Sequence, residues 1–173
     1  DSDVDANALR VLLEDVASGE VEPDDAVRRL QRLPFADIGI ARVDHHRALR
    51  QGVPEAVYGP GKTAEDVALV VAELLEGGTG PVVLSRAEKA QAEAALAVDG
   101  SGTAFDRAVV WRRAQPRAER VLVVTAGTAD APVADECAAV LWAHGIEPGR
   151  LADVGVAGLH RLLADLDRVY DAD

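Results

Sequence analysis

The chain has 173 residues, of which 49% are hydrophobic and 28% charged, with a formal net charge of −12. That composition supports a packed core, excludes intrinsic disorder and sets the surface against a nucleic-acid partner. A single cysteine, Cys137, excludes an internal disulfide and suits a reducing cytoplasm, and no apolar run approaches the ~20 residues of a membrane span.

Apolar residues at helical spacing predict a first helix over 4–19, closed by Gly19, and a second over 23–32, opened by Glu22-Pro23-Asp24 and stopped by Pro34. Residues Ile38 to Val43 read as a strand, and Asp44 to Gly52 as a charged turn or short helical segment. Glu55 to Tyr58 is a strand, Gly59-Pro60-Gly61 a turn, and Thr63 with Asp66 predicts a capping box opening a helix through 76. Its apolar stripe is Val67, Val70, Val71 and Leu74, and Gly77-Gly78 ends it. Val82 to Leu84 is a short strand, followed by an alanine-rich helix over 86–97, a turn at 99–102 and a strand at Ala108 to Trp111. Arg112 to Glu119 is a polar linker. Beyond it the pattern predicts a strand over 121–125, a helix over 132–144, a strand near 151–156 and a helix over 158–168. Alternation of that length implies a parallel sheet with helical crossovers. Residues 1–117 are therefore expected to form an N-terminal α/β region, with 118–173 beginning a second α/β domain. Two parallel strands need cover on their faces and edges, so that second domain is expected to be C-terminally incomplete.

The run from Val121 to Glu136 is the richest stretch chemically. An apolar strand feeds Thr125-Ala126-Gly127-Thr128-Ala129-Asp130, and Pro132 then fits the first turn of a helix. Backbone donors and the positive end of a helix dipole converge there, which suits an anionic ligand at the carboxyl end of a strand. Asp153 to Arg161 repeats the strand–glycine loop–helix pattern, with His160 as a titratable donor and Arg161 as a fixed cation.

Three other signals are weaker. Gly61-Lys62-Thr63 ends like a P-loop, but Ala56 stands where the first glycine is needed and Pro60 removes a donor, so a turn and an N-cap are expected. Asp44-His45-His46 resembles the short signature of metal phosphoesterases without the accompanying ligands, so a solvated polar turn is expected and no metal site. Cys137 shares a helix face with Ala134, Ala138 and Leu141, which predicts a small core residue rather than a nucleophile. His144, before Gly145, reads as a dipole partner at a helix C-terminus.

Taken together, these segments resemble the pyridinium-biscarboxylic acid mononucleotide synthases (the LarB family), which begin assembly of the nickel-pincer cofactor of lactate racemase. That family resembles in turn the aminoimidazole ribonucleotide (AIR) carboxylases of the purine pathway. The matching residues are Arg47 to Gly52, Pro54 to Gly59, Gly61-Lys62-Thr63, Val124 to Asp130, Pro132 to Glu136 and Asp153 to Arg161. The resemblance implies a parallel, three-layer, flavodoxin-like domain behind a small N-terminal α/β region. It implies carboxylation of the pyridinium ring of nicotinic acid adenine dinucleotide by CO2 or bicarbonate, with hydrolysis of the phosphoanhydride to release AMP. No resident cofactor is implied and Mg2+ is left open; the expected state is a cytoplasmic homo-oligomer, an octamer in the related carboxylases, with no membrane partner.

Carried over residue by residue, Thr125, Ala126, Gly127, Thr128 and Pro132 line the nucleotide site, and Gly155, Val156, Ala157, Gly158, His160 and Arg161 form the neighbouring rim. Asp130 contacts the ribose or reacting region, or transfers a proton. The sequence departs from the family in having Ala129 where a serine is usual, and in lacking the later glycine-methionine-glutamate loop. Cys137 does not match the family's nucleophilic cysteine, which lies well beyond the histidine–arginine motif. These residues alone are therefore not expected to complete the carboxylation. Two other readings stay open on the sequence, a non-catalytic nucleotide-binding regulatory module and a metal-dependent phosphoesterase.

Overall fold

The strands β3 (Ala56–Tyr58), β4 (Val82–Ser85), β5 (Thr103–Ala104) and β6 (Val109–Trp111) form one sheet in the order β3-β4-β6-β5. They belong to a computed structural model that describes residues 3–31, 36–45, 47 and 51–173. The β3–β4 pair is parallel, joined through helix α3 (Ala64–Gly77), whereas β6 runs antiparallel to both β4 and β5. Every residue of β4 and β6 is buried. Such continuous burial requires both faces of a sheet to be covered.

The pleat assigns the two faces. Val82, Leu84, Val109 and Trp111 point into a core with Val57, Val67, Val71 and Leu74, on the side of α3 and α4 (Lys89–Val98). Val83 and Val110, paired directly in the register, point the other way and pack on Ala143, with Val140 and Trp142 alongside. Those three belong to helix α5 (Ala131–Ala143), from the far side of the linker. Helix α5 also packs on β7 (Leu122–Val124), which pairs in parallel with β8 (Gly149–Leu151). The chain is thus α/β with parallel strand pairs and flanking helices, consistent with the flavodoxin-like class, although its central sheet is mixed.

Sequence patterns place most elements. Helices α1 (Asp3–Ser18) and α2 (Pro23–Gln31) stand where expected, with Gly19 reversing the chain at φ +81°. The Thr63–Asp66 capping box is present in both directions, at 3.0 and 3.2 Å. The single strand expected over Ile38–Val43 is instead an antiparallel hairpin of β1 (Ala36–Asp37) and β2 (Arg42–Val43). Gly39 adopts φ +83° in its turn, closed by the Ile38 N–H on the Ala41 carbonyl, and glycine takes that conformation without steric cost. β5 is unanticipated, and the helix expected over 158–168 is two short ones, α6 (Leu159–Ala164) and α7 (Leu166–Tyr170). The expected stop at Pro34 lies outside the described residues.

The linker is bound rather than loose. Ala114 N–H donates to the Ala143 carbonyl at 2.8 Å and Arg117 N–H to that of Gly145 at 2.9 Å. Gly145 sits at φ +83°, and a β-carbon there would lie 2.0 Å from the Gln115 carbonyl oxygen. His144, the C-cap of α5, is half-buried near Arg117, and chiefly burial, with that cation as a lesser contribution, holds its pKa below the ordinary 6.5. It is therefore disfavoured as the charged dipole partner that its position suggests.

Two outcomes follow from this joint. Gly145→Ala should lower unfolding free energy by about 2 kcal/mol or more in urea titration, from backbone strain and the carbonyl clash together. The folded chain holds a proton on His144 less tightly than the unfolded chain does. Its stability should then be full above about pH 6.5 and fall as the pH drops below it. Melting temperatures measured at pH 7.5 and 5.5 should show this decline shallower in His144→Gln.

Candidate functional site

The parallel β7–β8 ladder runs on past the strand ends. Thr125 N–H donates to the Leu151 carbonyl at 2.9 Å, Val154 N–H to that of Thr125 at 3.1 Å and Gly155 N–H to that of Ala126 at 3.0 Å. Both glycine loops therefore leave the same sheet edge side by side. A β-carbon on Gly155 would lie 2.8 Å from the Ala126 oxygen, so the approach needs glycine. A 3-10 turn over Thr128–Asp130 then leads straight into α5, with Pro132 in the first helical turn as expected.

Asp130 has a definite task in this geometry. Its Oδ2 accepts the N–H groups of Ala126 and Gly127, at 3.1 and 3.0 Å. The two donors expected to face a ligand anion thus already hold a carboxylate of the chain itself. Thr128 and Ala129, the next residues of the turn, are exposed.

Across the edge, Val156 is 96% exposed on a 3-10 turn over Val156–Gly158, beside the exposed Ala157, and His160 is exposed at the start of α6. Arg161 folds back over buried Gly158 to an ion pair with Asp153, while its Nε is buried without a partner. Asp153 adopts φ +60°, a left-handed conformation uncommon for a residue with a β-carbon.

Pro132 faces a different space. A cleft of about 130 Å³ lies between the carboxyl end of β4 with the β5–β6 turn and the start of α5. It is lined by Arg86, Phe105, Arg107 and Ala108 on the sheet side and by Pro132, Val133 and Glu136 on the helix side. Arg86 follows β4 at φ +50°, donates from Nε to Glu136 Oε2 at 2.8 Å, and lies 5.6 Å from the Tyr58 ring centre. The sequence offered no signal for Arg86 or Arg107 beyond their places next to strands.

The Gly59–Thr63 segment is a structural turn. Lys62 Nζ donates to the Tyr58 carbonyl at 2.9 Å, and Gln91, 5% exposed, donates from Nε2 to the carbonyls of Gly59 and Lys62 at 2.8 and 2.7 Å. Gln91 Oε1 accepts the Glu88 N–H at 2.8 Å, so one amide clamps the turn to α4. Of the triplet at 44–46, His45 is no solvated turn: its side chain is 5% exposed, 3.0 Å from Glu73 Oε1, with its ring against Gly77. His46 lies outside the described residues, as do Ala48 to Arg50 of the family-like segment. Among the described residues no group of His, Cys, Asp and Glu could hold a metal. Cys137 is exposed rather than packed, because α5 buries Ala134, Ala139 and Ala143 instead.

Residues 35–111 match the family described as the LarB/PurE-like N-terminal domain. The chain is also 27% identical over 176 residues to the uncharacterized protein MJ0165 of Methanocaldococcus jannaschii, covering 95% of this chain and 68% of that protein. The family match spans the central sheet and the Arg86 cleft edge, and the second similarity extends across the two glycine loops.

Replacing Gln91 with Leu should strand the Gly59 and Lys62 carbonyls and the Glu88 N–H. The expected cost is about 1–3 kcal/mol of unfolding free energy in denaturant titration.

Proposed function

On the premise that residues 35–111 are a LarB/PurE-like N-terminal domain, which makes the chain a relative of the AIR-carboxylase-like proteins, we propose that the complete protein carboxylates the pyridinium ring of nicotinic acid adenine dinucleotide. The same enzyme hydrolyses the phosphoanhydride and releases AMP. The coarser reading, a carboxylase-related family, rests on the domain itself. The observation that carries the finer one is the pair of glycine loops bound edge to edge through the Gly155 N–H and the Ala126 carbonyl. They form one continuous rim at the carboxyl ends of adjacent parallel strands, where open α/β sheets take phosphorylated ligands.

The chemistry defines what that rim must do. A pyridinium carbon is electron-poor and does not attack CO2, so a thiolate first adds to the ring and leaves an enamine-like carbon. That carbon bonds to CO2, a base removes the ring proton, and expulsion of the thiolate restores the aromatic pyridinium. Cys137 does not correspond in position to the family's nucleophile, so in this reading the thiolate comes from elsewhere in the complete protein. The rim supplies binding and orientation. Thr128 and the opening amides of its turn take a phosphate, while Gly155 to Gly158 give the dinucleotide close backbone approach and His160 reaches it from the adjoining helix. With Oδ2 held by two amides, Asp130 presents Oδ1 to the ribose and reacting ring. CO2 or bicarbonate is the co-substrate and no resident cofactor is required. A cytoplasmic homo-oligomer completes the proposal, and no helix among the described residues is long and apolar enough to cross a membrane.

Incubating the full-length protein with the dinucleotide and bicarbonate, with and without Mg2+, should release AMP and a biscarboxylated mononucleotide, both resolved by chromatography. Asp130→Asn keeps an acceptor for the loop amides but removes the charge. It should lower AMP release on the order of 100-fold while the melting temperature hardly moves. Absence of AMP from the wild-type protein would count decisively against this reaction.

A further inference from the structure

The Arg86 cleft takes no part in the reaction above, and its lining points to a ligand of its own. We propose that it binds a small aromatic monocarboxylate, one six-membered ring bearing one carboxylate. Size supports a single ring: the cleft holds about 130 Å³, and a cavity of about 150 Å³ accepts benzene. Its walls supply apolar surface from Phe105, Ala108, Pro132 and Val133; Val133 is 60% exposed, and Phe105, edge-on to Trp142 at 5.3 Å, is 36% exposed.

Charge supplies the rest. The Arg107 guanidinium has no ion pair or hydrogen bond among the described residues, an unneutralised cation on a chain of net charge −12. Arg86 adds a second guanidinium, held against Glu136 and Tyr58 and rising from a left-handed backbone. Planar guanidinium forks match carboxylates. Of the three carboxylates that also line the space, Glu136 is paired with Arg86 and Asp135 with Arg150, which leaves Asp106 beside Arg107, so a dianion fits less well. A singly charged acid therefore suits it better than phosphate. Position agrees as well, because the cleft lies at the carboxyl end of β4, where Arg86 leaves the strand. It also abuts Pro132 and Val133, directly after the turn braced by Asp130, so occupancy would bear on the same helix start that carries the glycine loop.

The full-length protein should be titrated with benzoate by calorimetry and ligand-observed NMR, alongside benzamide and inorganic phosphate. Saturable benzoate binding is expected with Kd on the order of 1 mM. Benzamide should bind at least about tenfold more weakly, as should benzoate to Arg107→Gln, at an exposed position that leaves melting unchanged. No saturation, equal binding of benzamide, tighter binding of phosphate, or full affinity in Arg107→Gln would each overturn the assignment. None of those results would touch the dinucleotide reaction, which is read on other residues and assayed by AMP release.

Discussion

Helix α5 is the constraint on which the arrangement depends. It covers the second face of the central sheet through Ala143 against Val83 and Val110, and it also packs on β7. Small residues make this double duty workable. Ala134, Ala139 and Ala143 are the buried positions, and alanine lets a helix sit close to a sheet without losing helix propensity. A larger residue at Ala143 would push apart the sheet that carries Arg86 and the strands that carry the glycine loops. The helix start then serves both candidate sites, Asp130 on the loop side and Pro132 and Val133 in the cleft. Sheet packing and site geometry are consequently one problem in this chain.

A second regularity concerns backbone conformation at strand ends. Arg86, Arg112 and Asp153 are the non-glycine residues at positive φ among those described, and each comes just after a strand, β4, β6 and β8 respectively. Each is also anchored by its side chain. Arg86 is paired with Glu136 and Asp153 with Arg161, while Arg112 reaches the Leu75 and Gly78 carbonyls at the C-terminus of α3. That helix carries no basic residue in its last turn, so Arg112 supplies the favourable cation from outside it. Left-handed backbone at such residues costs on the order of 1–3 kcal/mol and persists where surrounding structure fixes it. These anchors are what fix it, and they redirect the chain sharply at the strand ends.

What the sequence disclosed follows the same physics. Periodicity and caps are local, so α1 to α3, the Thr63–Asp66 box and the strand-loop-helix unit at 121–136 were legible. Alternation of β4 and β6 was not, because both faces are apolar when both are covered, and Val83 and Val110 look no different from Leu84 and Val109. The Ile38–Val43 hairpin was hidden because one glycine at positive φ reverses the chain inside an apparently continuous pattern. Cys137 was placed on the wrong side of α5 because hydrophobic residues occur all round that helix, and only the sheets decide which stripe is buried. Gln91 and Arg86 act through partners 29 to 50 residues away, distances at which no local pattern operates.

The least expected result is that the anion cradle at 126–127 binds an anion of its own. Two amides converging on Asp130 Oδ2 satisfy donors that the strand-to-helix transition would otherwise leave open. The loop is therefore preorganised before any ligand arrives, and a phosphate cannot take those two donors without displacing a carboxylate. That exchange would set two negative charges beside each other, which is unfavourable unless the carboxylate moves away or is protonated. The geometry instead favours a ligand held by the next donors of the turn, with the Asp130 carboxylate kept in place as a fixed negative edge. A positively charged pyridinium ring is the complementary group for such an edge, whereas a second phosphate would be repelled by it. In the proposed reaction, the arrangement of charge would place phosphate toward the helix amides and the cationic ring toward Asp130.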